Sequence, residues 1–120
     1  MTSGTIFEQR RIILAQIKFS DNTGEKVRPI VVISNQKFNN LHEDIICCPV
    51  TSEIRGKGIK ILNEKNYLEE GRLPEVSEIK SQYPLVISKK LCKEPITKAK
   101  ITTSITNQII TDIKETLMIT

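Results

Sequence analysis

The stretch Lys26-Val27-Arg28-Pro29-Ile30-Val31-Val32-Ile33-Ser34 decides the reading of this chain, together with Ile46-Cys47-Cys48-Pro49-Val50-Thr51-Ser52 a short distance on. In each, a polar or turn residue abuts an apolar, β-forming run, and a side chain capable of chemistry stands where strand meets loop. Arg28 is read as opening the first strand and Thr51 as closing the second. Antiparallel pairing would then set the start of one strand beside the end of the other. A guanidinium and a hydroxyl would meet at one rim of a sheet. Because a guanidinium matches a phosphate in two-pronged geometry, that rim is a candidate phosphate site.

Outward from this pair, short strands continue in both directions. Ile30 to Ser34 opens with a continuous β-branched run, the pattern of a strand buried on both faces. Ile12 to Phe19 alternates, with Ile12 and Leu14 on one face and Ile13, Ala15 and Ile17 on the other. Ser20-Asp21-Asn22-Thr23-Gly24 is turn chemistry, since short polar side chains bond their own backbone and glycine accepts positive φ. Ile45–Val50, Ile59–Leu62, Glu75–Lys80 and Leu85–Ile87 complete six short strands. The polar connections Asn35–Asp44 and Asn63–Gly71 each have room for a single helical turn. Close spacing of short strands predicts a small barrel rather than a βαβ sheet.

The period then changes. Ile101, Ile105, Ile109, Ile113 and Leu117 recur every four residues, and Ile110 widens the stripe. An amphipathic helix is expected from Thr103 to Leu117, packed on the barrel and capped by the Thr102 hydroxyl. The expected class is mainly β (β+α), with residues 1–9 as an extension and 10–120 as a single domain.

The 120 residues are 38% hydrophobic and 27% charged, which suits one folded domain with a core of its own. No apolar run approaches the roughly 18 residues of a membrane span. Met1-Thr2-Ser3-Gly4-Thr5 lacks the basic and apolar regions of a secretory signal, so the cytoplasm is the expected compartment. The net charge of +4 is compatible with an anionic partner without requiring one. Cys47 and Cys48 are adjacent in a strand, point to opposite faces and cannot chelate one metal together. They and Cys92 read as small hydrophobes, and the single histidine, His42, as a solvated loop residue. No metal site and no cofactor are expected.

This order of parts resembles the MazF/PemK family of endoribonuclease toxins. The resemblance lies in Phe19 to Asn35, in Pro49-Val50-Thr51-Ser52, in Gly71-Arg72-Leu73-Pro74, in Ser77 with Gln82, and in Ile101-Thr102 at the opening of the last helix. Where the family begins its first strand after glycine and an acid, this chain has Arg10-Arg11. After Gln82 it has Tyr83-Pro84, where the family often has a basic residue.

The resemblance implies an SH3-like barrel with an added helix, a homodimer, and metal-independent cleavage of single-stranded RNA. It also implies an antitoxin whose disordered tail occupies the RNA groove. Such cleavage uses the RNA's own 2′-hydroxyl against the neighbouring phosphorus. The site must take a proton, stabilise charge on phosphorus and help the 5′-oxygen leave. Arg28 would stabilise charge, Thr51 would donate to a non-bridging oxygen, and Glu25 would take the proton, with Asp21 as the alternative. Ser20, Asp21, Ser52, Arg55, Lys57 and Gln82 are the candidate substrate contacts, and Phe19 or Tyr83 a candidate base stack. Arg10 and Arg11 are expected to line the approach with Arg55 and Lys57. Two other readings stay open: a non-catalytic nucleic-acid-binding module on the same barrel, and a CcdB-like toxin that binds a protein such as DNA gyrase.

Overall fold

The computed structural model describes residues 6–18, 25–95 and 98–120. The turn Ser20–Gly24 and the side chain of Glu25 fall outside it. The described chain runs β1 (Ile12–Lys18), β2 (Glu25–Val32), α1 (Gln36–Leu41), β3 (Asp44–Thr51), β4 (Ile59–Ile61), β5 (Leu68–Glu70), β6 (Ser77–Ile79), β7 (Leu85–Ser88), β8 (Cys92–Lys93), β9 (Lys100–Ile101) and α2 (Thr103–Thr116).

The main sheet is ordered β4-β6-β3-β2-β1-β8, with β7 also paired to β3, and β5 pairs with β9 in a separate ribbon. β1 and β2 form its longest ladder, antiparallel from Ile12 opposite Val31 to Lys18 opposite Glu25. The β-branched run does what its composition predicts: Ile30, Val31 and Val32 are fully buried on alternating sides. On one face Ile12, Val31, Cys48 and Val50 meet Ile105 and Ile109 of α2. On the other, Ile13, Ala15, Ile30, Val32, Ile45 and Cys47 form a second cluster. Cys47 and Cys48 therefore enter different cores, as neighbours in a strand must. Burial pushes both thiols up to about 12, so they behave as apolar filling.

α2 starts where its cap was expected, with the Thr102 hydroxyl accepting the Ile105 N–H at 3.2 Å. Its stripe is buried through Ile109 and half-buried at Ile113, but Leu117 and Ile110 face outward. The helix thus leaves the sheet before the apolar pattern ends. β5 lies in a segment that reads as a connection, β8 in one to which the sequence assigns no element, and Ile101, the first residue of the helical stripe, closes β9 instead, because two or three residues carry no periodicity to recognise. No helix among the described residues is long and apolar enough to cross a membrane.

Candidate functional site

The rim foreseen between the two key strands exists, and prolines open it. β2 and β3 are antiparallel, with Ile30 opposite Pro49, Val31 opposite Cys48 and Val32 opposite Cys47. Pairing ends there. Pro29 and Pro49 have no N–H to give to a ladder, so the strands part at that point. β3 then takes β6 as its partner, with Val50 opposite Ile79 and Thr51 opposite Glu78. Between the diverging strands lies a groove of about 420 Å³. Arg28, Thr51, Ser52, Glu75 and Ser77 line it, together with apolar side chains that include Leu14, Pro29 and Leu73.

Arg28 does not start its strand. β2 begins at Glu25, and the exposed Arg28 is its fourth residue. On each strand the groove residue stands two positions past the last β2–β3 pair, which puts Arg28 and Thr51 on facing lips. The Thr51 hydroxyl accepts the Glu53 N–H at 3.0 Å, which tightens the turn out of β3. Its own proton is left to be donated.

Thr51 also borders a second, smaller cleft of about 160 Å³, which holds Arg55, Lys57, Lys80 and Tyr83. Tyr83 is 62% exposed, and the Lys80 ammonium sits 5.8 Å from its ring centre. Arg55 is exposed and ion-paired with Glu53. Beneath the loop lies Glu78, buried, with both carboxylate oxygens engaged by backbone. One accepts the N–H groups of Arg55 and Gly56, at 2.7 and 3.1 Å. The other accepts those of Lys57 and Gly58, at 3.0 and 2.6 Å. Burial alone would raise the Glu78 carboxyl, but these four N–H groups outweigh it and hold it below the usual range.

The structure thus gathers Arg28, Thr51 and Ser52 in one groove, and Thr51, Arg55 and Lys57 in the adjoining cleft. Gln82, exposed in the turn after β6, lines neither. Ser20, Asp21 and Phe19 lie outside the described residues, and Glu25 is known only as the first residue of β2, opposite Lys18. Sequence reasoning missed Glu75 in the groove and Lys80 and Glu78 beside it. Glu78 is the middle of a three-residue strand that Glu75 and Lys80 flank, and so short a run gives no sign of which way a charged side chain faces.

Arg10 and Arg11 are not on this approach. Arg10 donates to Glu69 at 2.8 Å and to the Ile101 carbonyl at 3.1 Å. Arg11 is ion-paired with Glu8 and Glu70. The buried Lys100 ammonium joins the same carboxylates. The pair ties β1 to the β5–β9 ribbon instead of facing a groove. Arg10 also holds a left-handed backbone, φ 82°, at the place where the resembled family has glycine.

The family model described as PemK-like, MazF-like toxin of type II toxin–antitoxin system matches residues 8–120. No curated protein matches. Among solved structures, a MazE–MazF complex from Deinococcus radiodurans aligns at 14% identity and TM-score 0.67, covering 92% of this chain and 94% of that one. Mycobacterium tuberculosis toxin MazF-mt6 aligns at 16% identity and TM-score 0.67, covering 89% and 95%. An endoribonuclease in complex with its cognate antitoxin, from a mycobacterial species, aligns at 12% identity and TM-score 0.62, covering 92% and 91%. At these identities the likeness is one of fold: mainly β with a C-terminal helix, as in the MazF toxins.

Proposed function

We propose that this chain, which belongs to the PemK-like, MazF-like toxin family of type II toxin–antitoxin systems, cuts single-stranded RNA without a metal ion and leaves 2′,3′-cyclic phosphate and 5′-hydroxyl ends. The observation that carries this reading is the placing of Arg28 and Thr51 on facing lips of one groove. The substrate supplies its own nucleophile, so no protein group need bond to phosphorus. The site orients the phosphate, stabilises charge on it and takes the 2′-hydroxyl proton, and the 5′-oxygen takes a proton from solvent as its bond to phosphorus breaks. The Arg28 fork meets the non-bridging oxygens as negative charge builds there. The Thr51 proton, not used by the turn, is donated to the same phosphate. Ser52 assists from the next position. Three carboxylates compete for the 2′-hydroxyl proton: Glu25 and its alternative Asp21, from the sequence, and Glu75, which lines the groove. The flanking phosphates meet Arg55 and Lys57.

The protein works in the cytoplasm as a homodimer, and a cognate antitoxin with a disordered acidic tail competes with RNA for the groove. An apolar surface supports the dimer. Val86 and Leu117 are 61% and 73% exposed beside a groove of about 410 Å³ that they line with Ile46, Pro84, Leu85 and Ile113.

The test is a long unstructured RNA incubated with the purified protein in EDTA. Cleavage that yields cyclic phosphate ends and is lost in Arg28→Ala is the expected result. Tight binding with no cleavage would instead identify a binding module. Neither binding nor cleavage would point to a protein target.

A further inference from the structure

We infer that Glu78 is a positioning residue for RNA binding: its buried carboxylate, by accepting four successive N–H groups, sets the Arg55–Gly58 loop so that Arg55 and Lys57 face the phosphates flanking the cut. This rests on the endoribonuclease reading and adds to it a residue whose contact with RNA is indirect.

Successive backbone N–H groups that converge on one point make a cradle for an anion. Here the anion is built into the chain. Glu78 comes from β6, twenty or more residues away in sequence, and fills the cradle from below. The loop leaves little freedom around it. Gly56 has φ 77°, and a Cβ on Gly58 would lie 2.1 Å from the Ile79 carbonyl oxygen, so the backbone can pass this close only with glycine there. With the backbone held, the exposed Arg55 and Lys57 side chains border the cleft that shares Thr51 with the Arg28 groove.

A catalytic role for Glu78 fits the structure poorly. Its two oxygens already accept four hydrogen bonds, and it is buried. A carboxylate so held is a poor base. Its role is carried through the loop.

The sign of the effect separates positioning from plain electrostatics. Removing a negative charge beside a cationic cleft would by charge alone tighten RNA binding. Losing the loop's geometry weakens it. In Glu78→Gln the amide cannot accept four N–H groups, because one of its two ends is a donor.

The experiment measures cleavage kinetics and RNA affinity for Glu78→Gln and, independently, for Gly58→Ala, which forces the loop away while leaving the carboxylate. Each variant should raise KM about tenfold with kcat within about threefold of the parent, because Arg28 and Thr51 stay on the sheet. Amide exchange at Arg55–Gly58 should quicken in both. In a background with Arg55→Ala and Lys57→Ala together, Glu78→Gln should raise KM no further, the non-additivity expected of a residue that acts through those two. Unchanged or tighter binding in Glu78→Gln, with the loop amides exchanging faster, overturns the inference. So does a full additive effect in the double-alanine background. A parent protein that does not cut RNA refutes the underlying reading, a result distinct from either.

Discussion

Thr51 and Glu78 stand opposite each other across the β3–β6 ladder. One rung of the sheet therefore carries both the threonine that borders the groove and the carboxylate that holds the loop beyond it. Both side chains also organise backbone: Thr51 accepts the Glu53 N–H, and Glu78 accepts those from Arg55 to Gly58. Thr51→Val removes the donor proposed for the phosphate and should cost roughly 100-fold in single-turnover cleavage. Thr51→Ser keeps the hydroxyl and should retain most of the rate. Equal rates for the two variants would remove Thr51 from the chemistry and leave it as a turn residue.

Arg28 tests the other lip. Arg28→Ala should lose roughly 100-fold or more. Arg28→Lys keeps the charge and loses the fork, so it should fall between parent and alanine. A folded Arg28→Ala protein that cuts as fast as the parent would refute the assignment.

What was legible in the sequence was what has a period or a local mechanism. The β-branched run from Ile30 announced a strand buried on both faces, and the four-residue spacing of isoleucines announced α2 and its Thr102 cap. The antiparallel meeting of Arg28 and Thr51 followed from strand direction alone. Glu78 was illegible for a physical reason: what buries it is a loop twenty or more residues earlier in the chain, and nothing local records that. The role of Arg10 and Arg11 was misread for a similar reason. A positive pair suggests an anion, but the anions turned out to be Glu8, Glu69 and Glu70 of the same chain.

The left-handed Arg10 gives a stability prediction whose sign is informative. A non-glycine residue in this conformation costs about 1 kcal/mol, and the side chain offsets this through Glu69 and the Ile101 carbonyl. Arg10→Gly relieves the backbone while losing those bonds and should stay within about 1 kcal/mol of the parent. Arg10→Ala keeps the unfavourable backbone and loses the bonds too. It should therefore be the less stable variant by about 1 kcal/mol in urea unfolding. The reverse order would mean that the backbone is not strained there.

Acid should unfold the protein partly through its clamp. The Glu78 carboxyl lies below its ordinary value near 4.5, with burial opposing the shift and the loop N–H groups outweighing it. Glu69, hydrogen-bonded to Arg10, is also lowered. A carboxyl depressed in the folded state contributes stability above its unfolded value, and that contribution fades as pH falls through the folded one. The parent should thus exceed Glu78→Gln in stability at neutral pH, and the gap should close well below pH 4.5. A gap that is constant across an acid titration would show that the charge of Glu78 contributes nothing.

Salt should separate the two groups of arginines. Removing one side chain that neutralises a phosphate reduces the slope of log affinity against log salt by about 1. Arg55→Ala and Lys57→Ala should each reduce the slope for a single-stranded RNA. Arg11→Ala should leave it unchanged, since that guanidinium is largely buried between Glu8 and Glu70 and borders neither cleft, whereas the Arg55 guanidinium, though paired with Glu53, is exposed beside Thr51. A reduced slope in Arg11→Ala would return the pair to the RNA path.

The last prediction concerns assembly. One groove of about 420 Å³ is small for several nucleotides, and a two-fold axis would double the track. The exposed Val86 and Leu117 give an apolar face on which two copies can meet, beside a groove whose lining is mostly aliphatic. Light scattering at micromolar concentration should report twice the chain mass. Val86→Glu with Leu117→Glu should bring the mass to that of one chain, because the added like charges of both copies would then face each other in a desolvated interface. If the charged variant stays dimeric, the interface lies elsewhere. If the parent is a strict monomer that cuts RNA at full rate, the groove needs no second copy.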